Sequence, residues 1–382
     1  MKFTCTQENI SQALHYVSRI ARKHATLPIL ENILIRANKT SVDIMGTDLE
    51  IGVFHSFRAK VEEVGEITVP AKIISGFISH IPPENPLSFE LKEKELYIES
   101  GKYKATIVGL GAEDYPIIPK PKDEGEKEYW EVSCVQFRQK FTQAMTCVTP
   151  NDVRVEFSGV YTRFLKDSII LVSTDGFRLL EVLCPYEKNT QEHQEEQNVI
   201  IPLKTLSEIL RCLPAASQDT IRIQKEEGQI FFFIGENTMI VSQLIKGNFP
   251  DYSQIIPKTH HTVVDLNTKD CIRVMKLAGV FGSNTISEVI VRIDAKKRIA
   301  QFESKSGLSG KNTSVLEPLF LEGVDQEIIF NPKYINDALS LLSEESFRWI
   351  FVNESSPAIL GEIGEESRIR EGFQYILMPI KK

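Results

Sequence analysis

The sequence predicts an α+β protein made of three tandem copies of one unit, each with two helices and an antiparallel sheet. Two repeated patterns carry that expectation. Val69-Pro70-Ala71-Lys72-Ile73-Ile74 and the residues up to Pro82 match Ile201-Pro202-Leu203-Lys204-Thr205-Leu206 and the residues up to Pro214, and Asn331-Pro332-Lys333-Tyr334-Ile335 opens a third copy. These prolines lie 132 (202 − 70) and 130 (332 − 202) residues apart. The second pattern is a turn: Met45-Gly46-Thr47-Asp48-Leu49-Glu50-Ile51 recurs 127 residues later (175 − 48) within Val172-Ser173-Thr174-Asp175-Gly176-Phe177-Arg178-Leu179.

Each unit opens with a helix that has one apolar stripe. The stripes are Ile10, Leu14, Val17 and Ala21, then Phe137, Phe141, Met145 and Val148, then Cys271, Met275 and Ala278. A second helix follows each repeated proline, whose missing N–H costs nothing at a helix start. Behind it, Ile74, Phe77, Ile78 and Ile81 in the first copy and Leu206, Ile209, Leu210 and Leu213 in the second fall at helical spacing. The remainder is strand-like, with residues 88–91 leading to 95–99 and residues 220–223 to 229–234 through short polar turns. The first two units close alike, on Gly111-Ala112-Glu113-Asp114-Tyr115-Pro116 and Gly247-Asn248-Phe249-Pro250-Asp251-Tyr252. Residues 118–125, rich in proline and charge, and residues 256–261 read as linkers, giving domains 1–125, 126–258 and 259–382. Residues 187–198, rich in Glu, Gln and Asn, interrupt the second unit as a solvated loop or as an acidic docking segment.

Hydrophobic content of 42% and charged content of 25% over 382 residues are globular values, enough for several buried cores. A net charge of −8 argues against a general basic coat for nucleic acid and leaves a local basic surface open. The six cysteines are scattered without metal-ligand spacing, and the adjacent His260-His261 make a poor chelate, so reduced thiols and no metal or cofactor are expected. No secretory h-region and no apolar run of about 18 residues is present, which predicts a soluble cytoplasmic protein with no membrane partner.

Two readings of the Thr-Asp turn compete. Asp48 and Asp175 could pair as catalytic carboxylates, or each Asp could bond its own backbone in a hairpin where Gly supplies positive φ. Recurrence in separate units favours the hairpin. The outward stripes of the helices are basic: Gln12, His15, Arg19, Arg22 and Lys23 on the first, Arg138 and Lys140 on the second, Lys269, Arg273 and Lys276 on the third. Lys72, Lys204 and Lys333 recur after the prolines, and Arg211 adds to the second copy. Such stripes suit phosphate contacts that are sequence-independent and salt-sensitive, and without interleaved aromatics they point to duplex backbone over stacked single strands.

At this point the chain resembles the bacterial DNA polymerase III beta subunit family, the sliding clamps, over essentially its full length. The matching features are Met1-Lys2-Phe3, Thr26-Leu27-Pro28-Ile29-Leu30 with Asn32, Gly46-Thr47-Asp48-Leu49-Glu50, Val69-Pro70-Ala71, Thr174-Asp175-Gly176 with Arg178-Leu179, Phe249-Pro250-Asp251-Tyr252 and Tyr375-Ile376-Leu377-Met378-Pro379-Ile380. The resemblance implies a processivity fold that closes as a head-to-tail homodimeric ring around duplex DNA, without catalysis. It implies as partners the catalytic subunit of DNA polymerase III, the clamp loader, and other polymerases and repair proteins carrying a clamp-binding motif. Its DNA contacts would be Arg19, Arg22, Lys23, His24, Lys72, Arg138, Asn151, Arg154, Lys204, Lys269, Arg273, Lys276 and Lys333. Its peptide cleft would comprise Phe157, Thr174, Gly176, Phe177, Arg178, Leu179, Pro250, Ile255, Ile376, Leu377, Met378, Pro379 and Ile380. Its dimer contacts would be Lys104, Ala105 and Ile107 against Val280 and Phe281. Three places depart from the family pattern: Phe177 where His is common, His24 where a basic residue is expected, and Val155-Glu156 where some relatives carry aromatics. A monomeric scaffold that shares the repeat without closing a ring is the remaining alternative.

Overall fold

A computed structural model describes residues 1–21, 26–121, 129–150, 152–190, 196–213, 219–281, 288–306, 310–365 and 368–381. Each third of the chain runs through one order: a strand, a helix, five strands, a second helix and three strands. In the first third these are β1 (Lys2–Cys5), α1 (Gln7–Val17), β2 (Asn32–Ala37), β3 (Ser41–Thr47), β4 (Ile51–Arg58), β5 (Lys60–Glu63), β6 (Gly65–Pro70), α2 (Ala71–Ser79), β7 (Leu87–Lys92), β8 (Glu95–Ser100) and β9 (Tyr103–Val108). The second third repeats them as β10 (Trp130–Ser133), α3 (Cys134–Ala144), β11 (Gly159–Phe164), β12 (Ser168–Thr174), β13 (Arg178–Pro185), β14 (Lys188–Asn189), β15 (Gln197–Pro202), α4 (Leu203–Cys212), β16 (Thr220–Glu226), β17 (Gln229–Ile234) and β18 (Thr238–Gln243). The last third gives β19 (Thr262–Asn267), α5 (Thr268–Val280), β20 (Val289–Asp294), β21 (Ile299–Ser306), β22 (Gly310–Leu316), β23 (Phe320–Gly323), β24 (Gln326–Phe330), α6 (Pro332–Leu339), β25 (Ser346–Phe351), β26 (Ala358–Glu362) and β27 (Phe373–Leu377).

The repeated prolines do two jobs. Pro70 and Pro202 are the last residues of β6 and β15, opposite Asn32 and Gly159, and the helix begins one residue later. Pro332 instead occupies the first turn of α6, and the Asn331 side chain caps that helix by accepting from the Lys333 N–H at 2.9 Å. Helix starts at all three prolines are thus only partly as the sequence predicts: two end a strand at an edge, where no N–H is needed, and one begins a helix.

The apolar stripes turn inward. Ile10, Leu14, Val17, Ala21, Phe137, Phe141, Val148, Cys271, Met275 and Ala278 are all buried, while Met145 is half-buried in a short 3₁₀ turn beyond α3. Helix α1 lies so close to β3 that a Cβ on Gly46 would stand 2.6 Å from Val17, which explains a glycine inside a strand. The six cysteines are buried and unbridged, and burial pushes the thiols of Cys147 and Cys184 up to about 12.

The chain divides into two compact units, one of Met1–Arg138, Tyr186–Gln194 and Lys204–Leu244, the other of Gln139–Pro185, Glu195–Leu203 and Ile245–Lys382. The first unit holds the sheets β5-β1-β7-β8-β9 and β14-β10-β16-β17-β18-β4-β3-β2-β6; the second holds β15-β11-β12-β13-β27-β26-β25-β19-β23 and β22-β21-β20-β24. Each nine-stranded sheet therefore joins half of one repeat to half of the next, through β18 on β4 in one case and β27 on β13 in the other.

At the β18–β4 joint, His55 sits opposite Thr238 with its Nδ1 2.8 Å from the Thr238 hydroxyl and its ring edge-on to Tyr16 at 5.1 Å. Burial lowers its pKa from the ordinary 6.5 to about 4, so it stays neutral in the fold. Below pH 6.5 the unfolded chain takes up a proton that folded His55 refuses, so the contribution is complete above pH 6.5 and is lost as pH falls toward 4. Urea unfolding of the wild-type protein and of His55→Gln should show the wild-type advantage shrinking by about 2 kcal/mol between pH 7.5 and pH 5. A constant difference across that range would mean that His55 takes up its proton as readily in the fold as in the unfolded chain.

Candidate functional site

The two Thr-Asp turns are the same structure built from different residues. In the first, the Thr47 hydroxyl donates to the Ile51 carbonyl at 2.9 Å and accepts from the Leu49 N–H at 3.0 Å, while Asp48 accepts from the N–H groups of Glu50 and Ile51 at 3.1 and 2.9 Å. In the second, Thr174 donates to Arg178 O at 2.7 Å and accepts from Gly176 N–H at 3.0 Å, and Asp175 accepts from Phe177 and Arg178 at 2.9 and 3.0 Å. The residue after Asp is left-handed in both, Leu49 at φ 76° and Gly176 at φ 88°. Both carboxylates thus hold backbone, in different units, which is the hairpin reading of these residues.

Each turn also receives a cation. Lys204, near the start of α4, bonds Asp48 and lies 3.4 Å from Glu50. Arg178 donates to Asp175 at 2.8 Å, to Asp337 of α6 at 2.7 Å and to the Tyr375 hydroxyl at 3.2 Å, and its guanidinium lies 4.3 Å from the centre of the Tyr334 ring. Side chains alternate across a strand. In the register Arg178↔Leu377 and Leu179↔Ile376, this alternation places Arg178 and Leu377 on one face and Leu179 and Ile376 on the other. The structure therefore separates Arg178 and Leu377 from the residues grouped with them by sequence: Arg178 braces the turn against α6 and the terminal strand.

On the other face, Leu179 and Ile376 form a cluster with Val172 and Tyr252, against which Tyr161, Ile170, Phe249 and Ile256 pack. Phe249 stacks on Tyr161 with ring centres 4.6 Å apart and meets Phe157 at 5.9 Å. Tyr252 is fixed by its hydroxyl, which donates to Glu181 at 2.6 Å, and burial followed by that bond raises the phenol pKa. Above this floor stand exposed apolar side chains: Phe177 at 61% exposure, Ile255 at 39%, and half-buried Met378, whose N–H donates to the Phe177 carbonyl at 2.9 Å. Pro250 is exposed beside Phe249, and Pro379 is buried. Ile380 donates its N–H to Ile329 O of β24 at 2.8 Å. Thr174 and Gly176 belong to the turn itself, with the Arg154 guanidinium 3.0 Å from where a Cβ on Gly176 would be.

Sequence reasoning missed Tyr161, Phe249 and Tyr252 as parts of this surface, and Tyr334 as the ring under Arg178 on the other face. Phe249 and Tyr252 were visible in the unit-closing pattern, where they read only as a repeat boundary; Tyr161 and Tyr334 gave no signal because aromatic residues in strands and helices are ordinary core.

The basic residues divide by what they touch. Lys72, Lys269, Lys276 and Lys333 are exposed on their helices, and Arg19 is exposed after α1. Arg273 pairs with Asp270 one turn away at 2.8 Å, and Arg138 donates to the Leu210 and Leu213 carbonyls at 3.1 and 2.7 Å, closing the end of α4. Arg211 bonds the carbonyls of His15 and Tyr16 and so closes the end of α1. Arg154 pairs with Asp152, donates to Asp175 O at 3.2 Å and stacks over Phe157 at 4.2 Å, which places it beside the apolar surface. Arg22, Lys23, His24 and Asn151 lie outside the described residues.

The residues assigned to a subunit joint lie on one strand edge and at one helix end. Lys104, Ala105 and Ile107 lie on β9, the outer strand of its sheet, with Val108 next to them 66% exposed. Val280 and Phe281 end α5, which packs against β21 and β22; Val280 is 74% exposed, and β22 is itself an outer strand with Val315 52% exposed.

The family model for the DNA polymerase III beta subunit N-terminal domain matches residues 1–119, and those for its central and C-terminal domains match residues 131–251 and 253–381. The beta sliding clamp of Bacillus subtilis is 26% identical over 392 residues, and that of Pseudomonas putida 25% over 385, each alignment covering all of both proteins. Among solved structures, the DNA polymerase sliding clamp from Bacillus subtilis matches with a TM-score of 0.92 at 23% identity, covering 100% of this chain and 99% of the other. The clamp from Pseudomonas aeruginosa bound to griselimycin matches at 0.90 and 22% identity over the whole of both chains.

Removing Arg178 leaves two carboxylates facing the terminal strand without their shared cation. Arg178→Ala should lower unfolding free energy by roughly 3 kcal/mol in urea titration, and Arg178→Lys should recover only part, because a point charge cannot serve Asp175, Asp337 and Tyr375 together. Full recovery by Lys would show that charge alone holds the turn.

Proposed function

The chain belongs to the DNA polymerase III beta subunit family, and from that membership we propose that the apolar surface around Phe177 and Met378 is where this sliding clamp holds its protein partners. The chain is a processivity factor, an accessory subunit of DNA polymerase III that serves DNA replication by tethering the polymerase to DNA. The observation that carries the docking reading is an exposed apolar rim, Phe177, Ile255 and Met378, over a rigid aromatic floor. Two or three anchors worth about 1.5–3 kcal/mol each, less several kcal/mol of ordering cost, give weak to micromolar binding. Partners that bind so weakly exchange, which suits a surface shared by a polymerase catalytic subunit, a clamp loader and repair proteins. The first copy of the turn lacks the Gly-Phe-Arg continuation and does not offer this surface.

Ring closure follows from the repeat. The last strand of one copy pairs with the third sheet strand of the copy before it, β18 with β4 and β27 with β13. The strands equivalent to those two partners, β9 and β22, are left as outer edges with exposed valines. An unpaired edge invites pairing, and a second copy offering β22 to β9 and β9 to β22 satisfies both, head to tail. Domains 1–125, 126–258 and 259–382 are then six similar segments around the duplex. Exposed Lys72, Lys269, Lys276 and Lys333 would meet phosphates without reading bases, which leaves sliding free. Topology then does what charge cannot, since about six phosphate contacts alone lose roughly 10³ in affinity between 50 and 200 mM salt. Among the described residues no helix is long and apolar enough to cross a membrane.

Two experiments test these readings separately. After loading, the wild-type protein should stay on nicked circular DNA in high salt and slide off linear DNA, whereas Val108→Asp should sediment as a monomer and be lost from both; equal loss of wild-type protein from circles and lines would favour the open scaffold. Phe177→Ala with Met378→Ala should weaken a fluorescent peptide carrying one Gln and spaced Leu and Phe by about tenfold or more in anisotropy titrations, with circle retention unchanged. Unchanged peptide affinity would remove this surface from the function.

A further inference from the structure

In the first two copies the segment after the last strand seals the sheet edge with two bonds. Gly109 N–H donates to Lys94 O in the β7–β8 turn at 2.7 Å and Leu110 N–H to Thr68 O of β6 at 2.9 Å. In the second copy Leu244 N–H donates to Gly228 O in the β16–β17 turn at 3.0 Å and Ile245 N–H to Ile200 O of β15 at 3.0 Å. The third copy keeps the second bond, Ile380 N–H to Ile329 O at 2.8 Å, but the residue before it is Pro379, which has no N–H to give. Its hairpin is also longer: two residues, 93–94 and 227–228, join the first two pairs of strands, and residues 352–357 join β25 to β26.

Where the seal is missing, a cavity of about 360 Å³ opens between the β24 edge, the hairpin loop and the tail. Its lining includes Glu327, Ile329, Glu354, Ser355, Ile380 and Lys381. The loop is not loose: Asn353 Oδ1 accepts from the N–H groups of Ser355 and Ser356, both at 2.9 Å, which fixes the position of Glu354 between them. Glu327 is partly neutralised by Arg292 at 2.8 Å, and among the described residues no ion pair engages Glu354. Ile329 O points away from β20 toward the tail, so the backbone of Glu327, two residues earlier, faces the same open edge. The cavity thus offers an open strand edge, an aliphatic wall and, beside Lys381 of the tail, a carboxylate that no ion pair engages among the described residues. It adjoins the apolar docking surface through Met378 and Pro379.

We propose that this cavity receives a lysine or arginine, carried on an extended stretch that flanks the apolar anchors of a client peptide. The proposal rests on the docking reading above and adds the charge of the client to it. The extended stretch would lie along β24, and its cation would meet Glu354, with apolar stem contacts to Ile329 and Ile380.

The test uses the full-length protein and three labelled synthetic peptides with the same Gln, Leu and Phe anchors: one unextended, one with Lys-Lys added before the anchors, one with Lys-Lys added after them. Anisotropy titrations at low salt should show one lysine-extended peptide binding roughly two- to fivefold tighter than the unextended one. Glu354→Gln should abolish that gain while leaving the unextended peptide unaffected. Equal affinity of all three peptides for the wild-type protein, or a gain that survives Glu354→Gln, overturns the cavity assignment alone. Failure of the unextended peptide to bind the wild-type protein, or binding that Met378→Ala does not weaken, overturns the docking reading and the cavity with it.

Discussion

A Thr-Asp turn locked by its own backbone and by one cation is the constraint on which the rest depends. The carboxylate fixes the crossing from the second to the third strand of each half-sheet, and that crossing sets where the third strand presents its edge to the next repeat. Lys204 draws α4 onto the first turn, and Arg178 draws α6 and the terminal strand onto the second. One hydrogen-bonding pattern therefore couples a local hairpin to a joint between repeats. It also explains why a leucine tolerates left-handed backbone at position 49: four bonds around the turn over-determine its shape, and the cost of order 1–3 kcal/mol is carried by the whole.

Function arises from differences imposed on that common frame. The first turn ends in Leu-Glu-Ile and is part of a sealed joint; the second ends in Gly-Phe-Arg, which turns one aromatic ring outward and one guanidinium inward. The outward ring adds exposed apolar area over the aromatic floor and the inward cation braces the turn beneath it, so the neighbouring residues 177 and 178 serve opposite faces of the same strand end. A similar small change marks the third copy, where a proline in the tail leaves open the edge that its two counterparts close.

Much of this was legible in the residues. The repeat, the helix stripes and the turn chemistry could be read because periodicity and Asx geometry are local properties, and Ile10, Phe137 and Cys271 are buried as their spacing predicts. Strand pairing between copies was not legible, since β18 and β4 are joined across almost two hundred residues and nothing in either segment names its neighbour. The surface proposed for docking was legible only through family resemblance, and there the grouping blurred two faces: sequence order cannot say that Arg178 and Leu179 point apart until a register is known. Basic residues were the least readable. A positive charge at helical spacing looks the same whether it meets solvent, as Lys72 does, or closes a neighbouring helix, as Arg138 does.

The division of the middle repeat between two compact units bears on how the molecule is made. Its first half-sheet, β10-β16-β17-β18, is completed by strands from the first repeat, all of which have left the ribosome by the time residue 244 has. Its other half-sheet, beginning at β11, stays open on the β13 edge until β27 arrives some two hundred residues later in the chain. During synthesis, then, the first unit can finish while β13 waits as a bare hydrophobic edge, and the apolar cluster of Leu179 and Ile376 comes into existence only when β27 pairs with it. The surface proposed for partners is thus among the last parts of the fold to form.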